Sequence, residues 1–126
     1  MNTANRSRSL LNSFRYAFAG MFYVFTSQRN MRIHVIIATI AFMMATTLRV
    51  SLADWSMLVL TTTLVLFAEA INTSIESVVD LASPEHHELA RVAKDVAAGA
   101  VLITAFGAVI VGLIVLGPPL WAVLLS

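Results

Sequence analysis

Cysteine is missing altogether from this 126-residue chain. Disulfides, thiol nucleophiles and cysteine-ligated metals are therefore excluded. Glycine occurs five times and never as GxxxxGK[ST], which rules out a phosphate-cradling P-loop. No HExxH pair is present to hold zinc on a helix. Proline stands only at 84, 118 and 119, and lysine only at 94. Charge is scarce: 12% of residues are Asp, Glu, Lys or Arg, against about 25% in an ordinary soluble domain. Internal repeats and low-complexity linkers are lacking too.

What remains is apolar, 59% of the chain by residue type. The composition defines a membrane protein of one small domain. Ile33 to Leu48 lies between Arg32 and Arg49. This run is short for a span, which needs about 20 residues, so both arginines are expected to snorkel to the interfaces. Trp55 to Ala68 is apolar, and its helical pattern continues to about Leu81. Val96 to Leu116 is uninterrupted until Gly117-Pro118-Pro119. Phe14, Phe18, Phe22 and Phe25 recur at helical spacing, a pattern that suits an amphipathic helix lying on the membrane better than a cleaved signal. The expectation is an all-α membrane protein. It has a surface helix over about 5–28, transmembrane helices over about 32–50, 54–82 and 91–117, and a single membrane domain over 1–126.

Arginine distribution supplies an orientation. Arg6, Arg8, Arg15, Arg29 and Arg32 precede the first span, and Arg91 and Lys94 lie near the second loop. Only Arg49 lies in the first loop. The positive-inside rule places the N-terminus and the 82–91 loop in the cytoplasm. If the second span starts near Asp54, Glu69 lies about 22 Å down and Glu76 about 33 Å down, at the inner boundary.

"AEAINTSIESVVD" sets Glu69, Asn72, Thr73, Glu76 and Asp80 three and four residues apart, on one helical face. A carboxylate facing lipid at mid-membrane costs about 2.5–3.5 kcal/mol, so this stripe should face protein, water or ligand. "RVAKDVAAGAV" offers Arg91, Lys94, Asp95 and Ala98 at the same level, with small residues that permit close approach. One outcome is structural: Glu76 paired with Lys94, and Asn72 as polar glue. The other is chemical. Glu69, in the less polar surroundings, suits a general base. Glu76, at the wet end, suits Mg²⁺, and Lys94 suits phosphate. Phosphoryl transfer needs little more than that set. His86 and His87 read first as solvated loop histidines, and His34 as a capped interface residue. A proton- or cation-conducting module and a purely structural bundle stay open as alternatives.

"EAINTSIESVVDLASPEHHELARVAKDVAAGAVL" closely resembles the prokaryotic diacylglycerol kinase family, whose signature reads E-x-x-N-[TS]-x-[IL]-E. "SFRYAFAG" and "RNMRIH" match its N-terminal part, and the resemblance covers residues 12 to about 116. It implies a homotrimer of three-span subunits with shared active sites in the bacterial inner membrane, the N-terminus and site being cytoplasmic. It also implies phosphorylation of a lipid alcohol, diacylglycerol or undecaprenol, by MgATP. The run around Asp80-Leu81 looks more like the undecaprenol branch. By position, Glu69 would be the base toward the lipid hydroxyl, Asn72 would position it, and Ala98 would line the acceptor site. Glu76 would hold metal and nucleotide, while Lys94 and Asp95 would hold the phosphates. Tyr16, Glu85, His86 and His87 would surround the nucleotide, His86 replacing a frequent tyrosine. Gln28 stands where the family usually has a metal-binding glutamate. It keeps an oxygen and loses the charge. No nucleic-acid partner is expected.

Overall fold

A computed structural model describes residues 3–85 and 87–126, the side chains of residues 3–8 excepted. The described residues form four helices: α1 (Thr3–Ser27), α2 (Arg29–Thr47), α3 (Leu52–Ala82) and α4 (Glu88–Leu124). The last three are long and apolar enough to cross a membrane. At 1.5 Å per residue α2 measures about 28 Å, while α3 and α4 reach about 46 and 55 Å and overshoot a bilayer core of about 30 Å.

Helix α1 ends at Ser27, and a single extended residue, Gln28, separates it from α2. Arg32 turns back past the start of α2 toward the end of α1. Its Nη1 donates back to the carbonyl of Thr26 at 2.7 Å and more weakly to that of Phe25 at 3.4 Å. The last carbonyls of α1 have no intrahelical donors, and a nearby guanidinium supplies them. The α1–α2 elbow is thereby pinned. Along α1, Phe14, Phe18 and Phe22 stay exposed, as an interfacial helix requires, whereas Val24 is buried.

The α2–α3 turn is built from two capping motifs. Val50 N–H donates to Ala45 C=O and Arg49 N–H to Thr46 C=O, the two bonds of a Schellman ending. Arg49 takes the left-handed position, φ 51°, where glycine is usual. Ser51 then caps α3: its Oγ accepts from Asp54 N–H at 3.1 Å, and the Asp54 carboxylate accepts from Ser51 N–H. Asp54 is thus the third residue of α3, and the helix begins at Leu52.

Ala45, Leu58, Val115 and Leu116 form a buried cluster beneath this turn. Phe42 and Trp55 pack around it with ring centroids 5.6 Å apart. The helix expected to stop at Gly117 continues through Pro118 and Pro119 to Leu124. Proline's fixed φ is itself helical, and Gly117 lacks the Cβ that clashes before a proline. A break would leave more backbone groups unpaired at membrane depth than the two N–H groups the prolines remove. The hydroxyls of α3 obey the same constraint: Thr63, Thr73, Ser74 and Ser77 each donate to the carbonyl four residues back.

Candidate active site

Toward its C-terminal end α3 changes character. Glu69 is 1% exposed, and Asn72 and Thr73 are also buried. These three sit three and four residues apart, on the strip of α3 turned toward the other helices. Asn72 Nδ2 donates to Glu76 Oε1 at 3.0 Å and fixes that carboxylate one turn further on. Glu69 Oε2 and Asn72 Oδ1 are buried with no hydrogen-bond partner. Such atoms are costly unless something occupies the space before them.

That space is a cleft of about 450 Å³ between α2, α3 and α4. Asn30 and His34 come from α2, Glu69, Asn72 and Glu76 from α3, and Ala98 with Ala105 from α4. Asn30 belongs to the first turn of α2, so Glu76 lies level with the start of that span. Toward the α2–α3 turn the cleft meets an apolar groove of about 170 Å³, which shares His34 and Ala105 with it. Ala38, Ala41 and Ala108 keep this groove open by their small size.

One turn beyond Glu76 on α3, and one turn before Ala98 on α4, a second polar cleft of about 600 Å³ contains Asp80, Glu85, His87, Arg91, Lys94 and Asp95. Lys94 Nζ donates to Asp80 Oδ1 at 2.8 Å. This corrects the expected Glu76–Lys94 pair. Asp80 lies one turn nearer the α3–α4 loop than Glu76, where the antiparallel helices bring the start of α4 alongside. Both partners are substantially exposed, so the pair adds little stability and leaves the ammonium free to exchange partners. Arg91 spans Glu88 at 2.7 Å and Asp95 at 3.1 Å. Asp95 therefore orients Arg91, a second cation on the face that spacing assigns to Lys94. His87 caps α4, its Nδ1 accepting from Leu89 N–H at 3.2 Å. His86 lies outside the described residues.

The single polar face expected from spacing is thus divided. Glu69, Asn72, Glu76 and Ala98 share one cleft, while Asp80, Lys94, Asp95, Glu85 and His87 share the next. Thr73 turns instead toward α1, lining a separate cleft with Tyr16, Tyr23 and Ser77. A helix of 3.6 residues per turn spreads residues 69 to 80 over a broad arc, and the three neighbours of α3 each take a sector. Tyr16 is therefore not brought to the Glu69 cleft within one chain. Gln28 lines none of these clefts and makes no side-chain cap at α2. Among the described residues no three His, Asp or Glu side chains converge as a metal site.

Three membrane-length helices, with a buried carboxylate cleft and a cationic cleft stacked at one end, define an all-helical integral membrane protein. A family model described as prokaryotic diacylglycerol kinase matches residues 15–116, and the chain belongs to that family of membrane lipid kinases. It is 50% identical over 113 residues to a diacylglycerol kinase of Synechocystis, covering 89% of this chain and 65% of that one. The chain thus spans about two thirds of that relative's length. Identity is 33% over 116 residues to the undecaprenol kinase of Bacillus subtilis, covering 92% and 94%, and 31% over 115 residues to the diacylglycerol kinase of Escherichia coli K12, covering 91% and 93%.

Proposed function

We propose that residues 1–126 form a single integral-membrane kinase domain that transfers the γ-phosphoryl group of ATP to a membrane lipid alcohol. The observation that carries this reading is the order of spaces along α3 and α4. An apolar groove leads into a carboxylate cleft, and a cationic cleft follows one turn later. A lipid alcohol needs those surroundings from tail to hydroxyl, and a triphosphate needs the last of them.

In this reading Glu69 accepts the proton of the acceptor hydroxyl as the new O–P bond forms and the bond to the ADP oxygen breaks. Asn72 donates one amide hydrogen to Glu76 and has a second to offer the oxygen of the acceptor hydroxyl, which leaves the hydroxyl proton to Glu69. Lys94 and Arg91 take the phosphates, Asp80 and Asp95 releasing and orienting them. Ala98 leaves room for the acceptor. Glu85 and His87, which line the cationic cleft, would stand beside the nucleotide, and Tyr16 would reach it from a neighbouring subunit. At the wet end of the cleft the Glu76 carboxylate offers oxygen, the donor a hard cation favours. Glu76 would hold Mg²⁺; Gln28, which lines none of these clefts in its own chain, would contribute only from a neighbouring subunit, and more weakly because it offers a dipole in place of a charge. When bound, such an ion shields the phosphate charge.

The site is shared within a homotrimer in the inner membrane, with the N-terminus cytoplasmic. Two features support an assembly. Tyr16 faces away from the Glu69 cleft of its own chain, and between 11% and 28% of each span is buried by that chain. The acceptor is undecaprenol or diacylglycerol. Purified protein given MgATP and each lipid alcohol in turn should release ADP only when the lipid is present, and the faster lipid names the acceptor. Ion flux without lipid-dependent ADP release would replace this reading with the conduction module that buried carboxylates also suit. Mixing Glu69→Gln subunits with Tyr16→Ala subunits tests sharing, because Tyr16 is the residue that its own chain does not bring to the cleft: turnover should return in mixed trimers, and its absence from verified mixed trimers rejects a Tyr16 contribution across subunits.

A further inference from the structure

Glu69 is almost completely enclosed, and a base that takes one proton per turnover must lose it before the next. The walls of its cleft hold two other titratable side chains among the described residues, Glu76 and His34. Glu76 is engaged by Asn72 and, in the proposed reaction, by the metal. From α4 the cleft receives Ala98, Val101, Leu102 and Ala105, none able to carry a proton. Arg32, two residues away on α2, is turned back onto α1. His34 is left. It is half-buried, stands where the polar cleft opens into the apolar groove, and has no hydrogen bond among the described residues. Lying five residues into α2, it is about 8 Å from the start of the span, within reach of interfacial water. Once an acceptor fills the cleft and excludes water from it, the imidazole becomes the exit that remains.

We propose that His34 carries the acceptor's proton away from Glu69. This rests on the lipid-kinase reading with Glu69 as base. The hydroxyl proton moves to Glu69 as the phosphoryl group is transferred. One ring nitrogen of His34 then takes it from Glu69, and the other releases a proton to water at the interface, so the carboxylate is regenerated and no other reactant is consumed. Imidazole suits this because its two nitrogens can accept and donate in turn. His34 is a positioning residue for the proton and does not touch the transferred phosphoryl group.

The test uses the assembled protein with MgATP and the lipid alcohol that wild type prefers. His34→Gln keeps polarity and size but cannot relay, so kcat should fall about tenfold or more, below the full effect of losing the base, while KM for ATP and lipid stays within about twofold. His34→Ala should fall similarly and regain several-fold of its kcat when imidazole is added, since the substitution leaves a space the size of the ring. Unfolding temperatures near wild type accompany both results, because the ring makes no hydrogen bond to lose. The proposal is overturned if His34→Gln keeps wild-type kcat, if the loss lies in lipid KM alone, or if imidazole fails to revive His34→Ala. A wild type that shows no lipid-dependent ADP release is a different failure: it sinks the kinase reading, and the relay falls with it.

Discussion

The two ends of the helical bundle are built on opposite principles. At the α2–α3 turn, Ala45, Leu58, Val115 and Leu116 meet in a closed apolar cluster, and a Schellman ending and a capping box satisfy the turn's backbone. At the other end the helices enclose Glu69 and Asn72 with oxygens unpartnered, beside an open cleft. In lipid the first arrangement gains from close packing, because hydrocarbon surroundings offer little hydrophobic drive between helices. The second arrangement is costly by the same logic and persists where a ligand can complete it. Close apolar packing is concentrated at one end, and buried unpartnered oxygens at the other.

Substitutions at each end should separate these roles. The largest effect belongs to Glu69→Gln. Lipid-dependent turnover should fall by about 10²–10⁴-fold, the usual contribution of a general base, with ATP binding retained. Turnover near wild type would remove Glu69 from the chemistry. At the closed end, Leu116→Ala should cost about 2 kcal/mol of stability by leaving a cavity, seen as a lower unfolding temperature in detergent. The folded fraction should keep its kcat; a fall in kcat matching a cleft substitution would erase the contrast between the ends.

Gln28→Glu tests the open end more finely. Hard cations favour charged oxygen ligands, so the Mg²⁺ concentration for half-maximal rate should drop by several-fold. Superimposable magnesium titrations would take residue 28 out of the metal site. The smallest effect is expected at Arg49. A non-glycine residue in the left-handed region costs roughly 1 kcal/mol, so Arg49→Gly should raise stability by up to that amount, less the added freedom of glycine in the unfolded chain. Activity should not change. A destabilised Arg49→Gly would mean that the arginine side chain anchors the turn by contacts worth more than the strain.

Much of the active end could be read without coordinates. Glu69, Asn72 and Glu76 at three- and four-residue spacing, with Ala98 at the matching level of α4, do share one cleft. Lys94 and Asp95 do share the next with Glu85 and His87. The partner of Lys94 was not legible, because periodicity places Glu76 and Asp80 on the same arc and only the loop geometry decides which one meets it. Nor was His34: an isolated histidine at the start of a span has no spacing partner on its own helix, and its value comes from what α3 and α4 put opposite. The end of α4 was missed for another reason. Two consecutive prolines ordinarily stop a helix in water, where freed carbonyls find solvent. A span cannot release them so cheaply.

Composition and periodicity by themselves determined that this chain crosses a membrane on three helices and concentrates its acids near one boundary. Burial in lipid enforces those features residue by residue, and each leaves a local mark in the sequence. Tertiary structure alone decided how the polar arc of α3 is divided among α1, α2 and α4. It placed Asp80 rather than Glu76 on Lys94, turned Thr73 toward Tyr16, and set His34 across from Glu69. Those choices depend on helix crossings and on the lengths of turns, which join residues dozens of positions apart and which no short-range pattern records.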